Sequence, residues 1–379
     1  MNKRLIVGVV IMGIMMGLVI GALYGYFYGR KQEICIPVLT KKSVAISLDH
    51  KDQKYLNGTR EHITFSVPES ATSHKTITRQ GVLVKRKGAR ATLLIVHGFM
   101  CDKHDVDFLS LLLGEYVFQP KNQDDIRQPA LLDVYRYNTF TIDLRAHGEN
   151  NQGQCCTFGR DEALDVLAAA RYLKTRSDLN TVPLGVYGFS MGAVSSILAQ
   201  AQDPIFDFGI SDCPFDSTEN IIGRGLEHLK IVVWGYEFPV PGRSLLHRYA
   251  YNSYVQSFLK FILKTVSKMD SGQVATCIVP VNTVEKAKYL TKPWFFITCK
   301  KDEKAPVEAV KKVYDQVQGF KRLLITDGRH HFDSLFYNPA RYQYKVHNFM
   351  RKILNDTYKA KVTQKIEVDN EQSIKDIGA

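Results

Sequence analysis

Val182-Pro-Leu-Gly-Val-Tyr-Gly-Phe-Ser-Met-Gly192 is the stretch on which the reading of this chain turns. Its first half is a short apolar run of the kind that forms a buried strand, and Ala193-Val-Ser-Ser-Ile-Leu-Ala-Gln200 behind it reads as a helix. Ser190 therefore stands at a sharp strand-to-helix turn. Gly188 and Gly192, two residues before and two after, lack the Cβ atoms that would collide as strand and helix close on each other. Such a turn lifts the hydroxyl clear of the sheet and sets it at the positive end of a helix.

Gly188-Phe-Ser190-Met-Gly192 resembles the nucleophile elbow of the α/β-hydrolase family, lipase-like and esterase-like members and the acyl-protein thioesterase-like branch included. The resemblance implies an α/β fold with a mostly parallel eight-stranded sheet, helices on both faces and a small helical cap. It also implies a chain order of nucleophile, acid, then histidine. Upstream, the apolar run Ala91-Thr-Leu-Leu-Ile-Val96 empties into His97-Gly98-Phe99-Met100, which resembles the family's oxyanion loop. By that resemblance the backbone N–H groups of Phe99 and Met191 are the oxyanion donors, and His97 shapes the loop rather than acting as a base. Tyr137-Asn-Thr-Phe-Thr-Ile-Asp143 reads as a strand ending in Asp143-Leu-Arg145-Ala-His147-Gly148, which resembles the D-x-R-x-H-G loop of the same family. Asn150 departs from the small hydroxyl residue common there. Because this loop precedes Ser190, neither Asp143 nor His147 is expected to be catalytic.

Downstream, Lys292-Pro-Trp-Phe-Phe-Ile-Thr298 is a buried-strand run that delivers Asp302 to the edge of the sheet carrying Ser190, with a helix expected from about Pro306. Asp302 resembles the family's acid, with Asp212 and Glu303 as alternatives. Lys321-Arg-Leu-Leu-Ile-Thr326 is the last strand expected, and Gly328-Arg-His330-His331-Phe-Asp-Ser334 follows it. Aligning the family's Gly-x-x-His on Gly328 assigns the base to His331 rather than His330.

The chain has 379 residues, of which 45% are hydrophobic, enough for one large domain with appendages. Leu5–Gly29 carries no charged side chain and exceeds the roughly 20 residues that cross a bilayer. Lys3-Arg4 and Arg30-Lys31 bracket it, and Tyr24, Tyr26, Phe27 and Tyr28 gather at its C-terminal end, where amphipathic rings favour headgroups. The run is longer than a signal-peptide core and no Ala-x-Ala-like site follows it, so it reads as an uncleaved anchor. Lys3, Arg4 and the amino terminus on one flank face Arg30, Lys31, Lys41 and Lys42 on the other, so the orientation stays open, with a slight lean to the N-terminus inside. Glycines at 13, 17, 21, 25 and 29 form a ridge on which a second copy of the helix can pack.

Residues 1–31 are accordingly read as a transmembrane anchor, 32–59 as a tether and 60–355 as the hydrolase domain. A cap insertion is expected over about 215–290, and 356–379 reads as a charged tail. The net charge of +12 comes from scattered residues without a nucleic-acid module, so it points to anionic lipid headgroups rather than nucleic acid. Seven cysteines match no zinc spacing, and Cys155-Cys156 reads as a loop feature. Cys213 and Cys299 read as small buried hydrophobes in strands. No cofactor and no metal is expected. The apolar N-terminal run and the resemblance together imply a membrane-anchored serine hydrolase that cleaves carboxylic esters or thioesters; the alternatives are a serine peptidase of the same fold and a catalytically inactive membrane scaffold.

Overall fold

The computed structural model describes residues 58–114, 136–149, 153–227, 230–233, 236–239, 252 and 274–355. The anchor, nearly all of the tether and the C-terminal tail read from the sequence lie outside these residues. Among the described residues no helix is long and apolar enough to cross a membrane.

Eight strands form the central sheet: β1 (Thr59–Pro68), β2 (Thr76–Lys85), β3 (Thr92–Val96), β4 (Asn138–Ile142), β5 (Leu184–Phe189), β6 (Phe208–Asp212), β9 (Trp294–Cys299) and β10 (Lys321–Thr326). Their spatial order is β1-β2-β4-β3-β5-β6-β9-β10. β2 runs antiparallel to both of its neighbours, and every other pairing is parallel. The middle strands β3, β4, β5, β6 and β9 are buried at every position. That is why they read as continuous apolar runs rather than as alternating ones. The parallel crossovers bring the carboxyl ends of β3, β4, β5, β6, β9 and β10 to one rim, the place where open α/β sheets carry their sites.

The helices in chain order are α1 (Leu109–Leu112), α2 (Glu162–Thr175), α3 (Met191–Gln202), α4 (Thr218–Glu227), α5 (Thr283–Ala287), α6 (Val307–Gln316), α7 (Ser334–Tyr337) and α8 (339–355). They divide into two layers. Leu94, Val96, Phe140, Val186 and Phe296 of the sheet pack on one face with Val166, Ala170, Val194, Ile197, Val310 and Val313 of α2, α3 and α6. Leu93, Ile95, Tyr187, Phe208 and Phe295 pack on the other face with Leu109, Leu112, Val346, Phe349 and Met350 of α1 and α8. The even and odd positions of each strand thus feed different cores, as the pleat requires.

Gly209 shows how tightly the first face closes: a Cβ there would stand 2.4 Å from the ring of Trp294. The indole is fully buried and donates from Nε1 to Ser211 Oγ at 2.9 Å.

Two expectations change. The helical spacing of Val106, Leu109, Leu112 and Leu113 predicts a helix over 105–116, and the described residues form one only at Leu109–Leu112, with turns before it. Of the expected helical cap, much lies outside the described residues. The described part holds α4, then an antiparallel hairpin, β7 (Lys230–Val233) against β8 (Tyr236–Pro239), and α5 near its end. The β-branched run Ile231-Val-Val233 suits a hairpin better than a helix.

A third feature had no counterpart in the sequence reading. Cys155 and Cys277 are joined by a disulfide across 122 residues of sequence. The backbone beside it pairs as well, with Cys156 N donating to Ala275 O at 2.7 Å and Cys277 N donating to Cys156 O at 2.8 Å. The bridge ties the loop that enters α2 to the chain returning from the cap. Closing so long a loop constrains the unfolded chain strongly, so Cys277→Ser is expected to lower the unfolding free energy by about 2–5 kcal/mol. Urea denaturation of the oxidised protein and the variant checks this; equal midpoints would contradict it.

Candidate active site

Leu184–Phe189 ends at Ser190 and α3 begins at Met191, so the turn expected from the two glycines is present. Ser190 has φ 49°, a left-handed conformation that a non-glycine residue adopts only under constraint. The constraint is visible on both sides. A Cβ on Gly192 would lie 2.3 Å from Val96 O, and one on Gly188 would lie 2.4 Å from Gly192 O. Only glycine lets the start of α3 press against the ends of β3 and β5. Ser190 N donates to Asp212 O at 2.8 Å, which fastens the turn to β6.

Three side chains from three rim loops meet there. His331 Nε2 lies 2.9 Å from Ser190 Oγ. His331 Nδ1 lies 2.8 Å and 3.0 Å from the two carboxylate oxygens of Asp302. Asp302 Oδ1 also accepts from Lys304 N at 2.9 Å and Ala305 N at 2.8 Å, so its carboxylate is held by the turn that leads into α6. Asp302 is buried, and the His331 side chain is 11% exposed. With Nδ1 donating to the carboxylate, Nε2 is left as the acceptor that faces the serine hydroxyl.

His330, the competing histidine, is more than half exposed and its ring faces Asp333 and its own loop. Of the alternative acids, Glu303 is exposed. Asp212 is buried at the end of β6, where Tyr342 donates to its Oδ2 at 2.6 Å and Tyr342 and Tyr187 hydroxyls pair in turn. Burial pushes the Asp212 carboxyl up to about 7, and the Asp302 charge adds to the rise.

The loop bearing Phe99 borders the serine. A Cβ built on Gly98 would lie 3.6 Å from Ser190 Cβ and 3.5 Å from Phe189 O. Two histidines brace this loop. His97 donates from Nδ1 to Gly98 O at 2.7 Å and accepts at Nε2 from Leu144 N at 3.1 Å. His147 donates from Nδ1 to Arg145 O at 2.8 Å and accepts at Nε2 from Met100 N at 3.1 Å. Both rings are fully used in the neutral form, and they pack edge to face at 5.2 Å. Burial holds the His97 imidazole down to about 3 and lowers that of His147 as well. His97 thus has the loop-shaping place expected for it.

Asp143 is held in a buried ion pair, 2.7 Å from Lys103 Nζ, with Lys103 N donating to its other oxygen. Arg145 is buried against Asp165 and donates to Pro68 O and Glu69 O. The D-x-R-x-H-G loop therefore supports the site without reaching Ser190. Its partners Lys103 and Asp165 were not visible in the sequence, because neither sits at a fixed distance from the motif.

His97 gives the structure an acid sensitivity of defined sign. Its folded pKa lies below the ordinary value of 6.5, so the unfolded chain takes up a proton that the folded chain resists. The contribution is complete above pH 6.5 and is lost as pH falls toward 3. The unfolding free energy should fall between pH 7 and pH 4.5, with a shallower slope in His97→Gln; identical slopes in the two proteins would contradict this assignment.

No protein-family model matches the chain. A curated protein of Bacillus subtilis (strain 168), described as uncharacterized protein YqkD, is 27% identical over 224 residues, which cover 58% of this chain and 64% of that protein. The match therefore spans less than two thirds of that relative. Among solved structures, the esterase Pf2001 of Pyrococcus furiosus is 18% identical, with 79% of this chain and 95% of that one covered at a TM-score of 0.53. The α/β hydrolase GrgF of Penicillium sp. sh18 is 16% identical, with 78% and 99% covered at a TM-score of 0.52. At these identities the likeness is one of fold, and it agrees with the strand order and the elbow in giving the chain the α/β-hydrolase fold.

Proposed function

We propose that this chain is a membrane-anchored serine hydrolase that cleaves carboxylic esters or thioesters through an acyl-enzyme. The observation that carries the reading is the unbroken line from Ser190 Oγ to His331 Nε2 at 2.9 Å and from His331 Nδ1 to Asp302 at 2.8 Å. A serine hydroxyl is a weak nucleophile until a base accepts its proton. His331 Nε2 is placed to take that proton as Ser190 Oγ attacks the acyl carbon. Asp302 fixes the tautomer and stabilises the imidazolium that forms. His331 then gives the proton to the leaving alcohol or thiol, and a water activated by the same imidazole releases the acid.

The developing oxyanion is assigned to the amides of Phe99 and Met191. The Gly98 backbone runs along Ser190 and Met191 opens α3, which supports this assignment. Preorganised amides in such a pair are each worth about 10²–10³ in rate.

The disulfide bears on where the reaction happens. A bridge such as Cys155–Cys277 persists in an oxidising compartment and is rare where thioredoxin and glutathione hold thiols reduced. With Lys3 and Arg4 inside, one span over Leu5–Gly29 would carry the catalytic domain to the other, oxidising side. The two readings agree on an enzyme that works at the outer membrane surface on acyl groups presented there.

An active-site-directed fluorophosphonate is expected to label wild type and leave Ser190→Ala unlabelled. On p-nitrophenyl esters Ser190→Ala and His331→Ala should each lose on the order of 10³-fold or more in kcat. Asp302→Asn should lose about 10⁴-fold because it favours the wrong tautomer. Well-folded wild type that takes no label would favour the scaffold reading, and peptide amides cleaved faster than esters would favour the peptidase. Retained activity in His331→Ala with loss in His330→Ala would overturn the choice of base.

Orientation is checked on intact cells. Added protease should release the domain, and its fragments should stay joined on a gel until reductant is added; complete protection would contradict the outside placement.

A further inference from the structure

Cys213 is the first residue after β6, and it sits where its thiol has no role in the proposed chemistry. Its backbone is in the left-handed region, with φ 45°, and Cys213 N donates to Ile297 O at 2.8 Å, so the residue is fixed in place. Its Sγ, a carboxylate oxygen of Asp302 and a ring nitrogen of His331 all lie within 4.8 Å of one another. Next to it, Asp212 supplies a second buried carboxyl whose Oδ1 has no hydrogen-bond partner.

From this juxtaposition we infer that the site takes up a thiophilic divalent cation of the zinc class, bound by Cys213, Asp302 and His331, and that the bound cation holds the enzyme inactive. Thiolate and imidazole select zinc and its softer neighbours over magnesium or calcium. The ligand bonds to zinc are about 2.0–2.3 Å long, which in a tetrahedron puts donor atoms about 3.2–3.7 Å apart. With the three donors within 4.8 Å of one another, and His331 Nδ1 2.8 Å from Asp302 Oδ2, side-chain rotation that parts this pair by a few tenths of an ångström and draws Cys213 Sγ in reaches that spacing.

The nitrogen that faces Asp302 is Nδ1. Coordination there forms metal–nitrogen, metal–oxygen and metal–sulfur bonds, breaks the Nδ1–H and S–H bonds, and sends both protons to solvent. The cation then occupies the place of the proton through which Asp302 orients His331. Without that hydrogen bond the imidazole no longer works as the base for Ser190. Two carboxyls, Asp302 and Asp212, buried beside the thiol favour a dication. The exposed edge of His331, its side chain 11% exposed, is the way in.

The test uses the full chain. Ester hydrolysis is measured against added Zn²⁺ in wild type, Cys213→Ser and Cys213→Ala, each normalised to its own metal-free rate, and Co²⁺ is added to Ser190→Ala with and without Cys213→Ser. Wild type should be inhibited and recover with a chelator, while both Cys213 variants should need on the order of tenfold more Zn²⁺ or beyond. Ser190→Ala should give a near-ultraviolet thiolate-to-cobalt charge-transfer band that is absent once Cys213 is replaced. The cobalt band does not depend on turnover, so it is informative even if the hydrolase reading fails. Equal Zn²⁺ sensitivity in wild type and both variants, or cobalt bound to Ser190→Ala without the thiolate band, would overturn the inference.

Discussion

The structure depends on one strained backbone position. Ser190 sits at φ 49° because α3 must start within van der Waals reach of the carbonyl ends of β3 and β5, and the glycines at 188 and 192 are what let it do so. A left-handed non-glycine residue costs about 1–3 kcal/mol, and it survives only where its surroundings over-determine it. Here they do: the turn is hydrogen-bonded to Asp212 O, its strand is buried throughout, and Gly192 is wedged against Val96 O. The same turn that raises the hydroxyl out of the sheet also starts α3 at Met191, directly after the serine. The geometry needed for chemistry and the geometry needed for close packing are thus one constraint.

Around that turn the rim is stiffened by buried polar groups that each find a partner of opposite character. Lys103 neutralises Asp143, Arg145 pairs with Asp165, and the His97 and His147 rings join the Phe99 loop to the Asp143 loop in their neutral forms. Buried charges are costly unless paired, and removing one partner typically costs about 3–5 kcal/mol. These groups are fixed supports. The Asp302 turn behaves the same way, since two backbone amides hold the carboxylate that in turn holds His331. On the proposed reading, catalysis rests on residues that cannot easily relax away from one another.

Much of this was legible in the chain because local chemistry and the fold demand the same residues. The strands β3, β4, β5 and β9 are apolar runs of the expected kind, and a Gly-x-Ser-x-Gly turn between strand and helix leaves one conformation open. The side chains at Asp302 and His331 came within reach only by resemblance, since they lie 112 and 141 residues beyond Ser190 and no spacing rule connects them. What escaped was long-range and side-chain specific. Cys277 pairs with Cys155 because the cap brings its return strand against Cys156, which sequence distance conceals. Tyr342 reaches Asp212 from α8 for the same reason. The hairpin at 230–239 escaped because the resemblance implied a helical cap over this stretch.

The most direct test of the central claim is a crystal structure of the protein inactivated by a fluorophosphonate. The account predicts phosphorus bonded to Ser190 Oγ, His331 Nε2 still beside that oxygen, and the phosphoryl oxygen about 2.7–3.1 Å from the backbone nitrogens of both Phe99 and Met191. Phosphorus on any other residue, or a phosphoryl oxygen turned to solvent with those two amides unengaged, would contradict it.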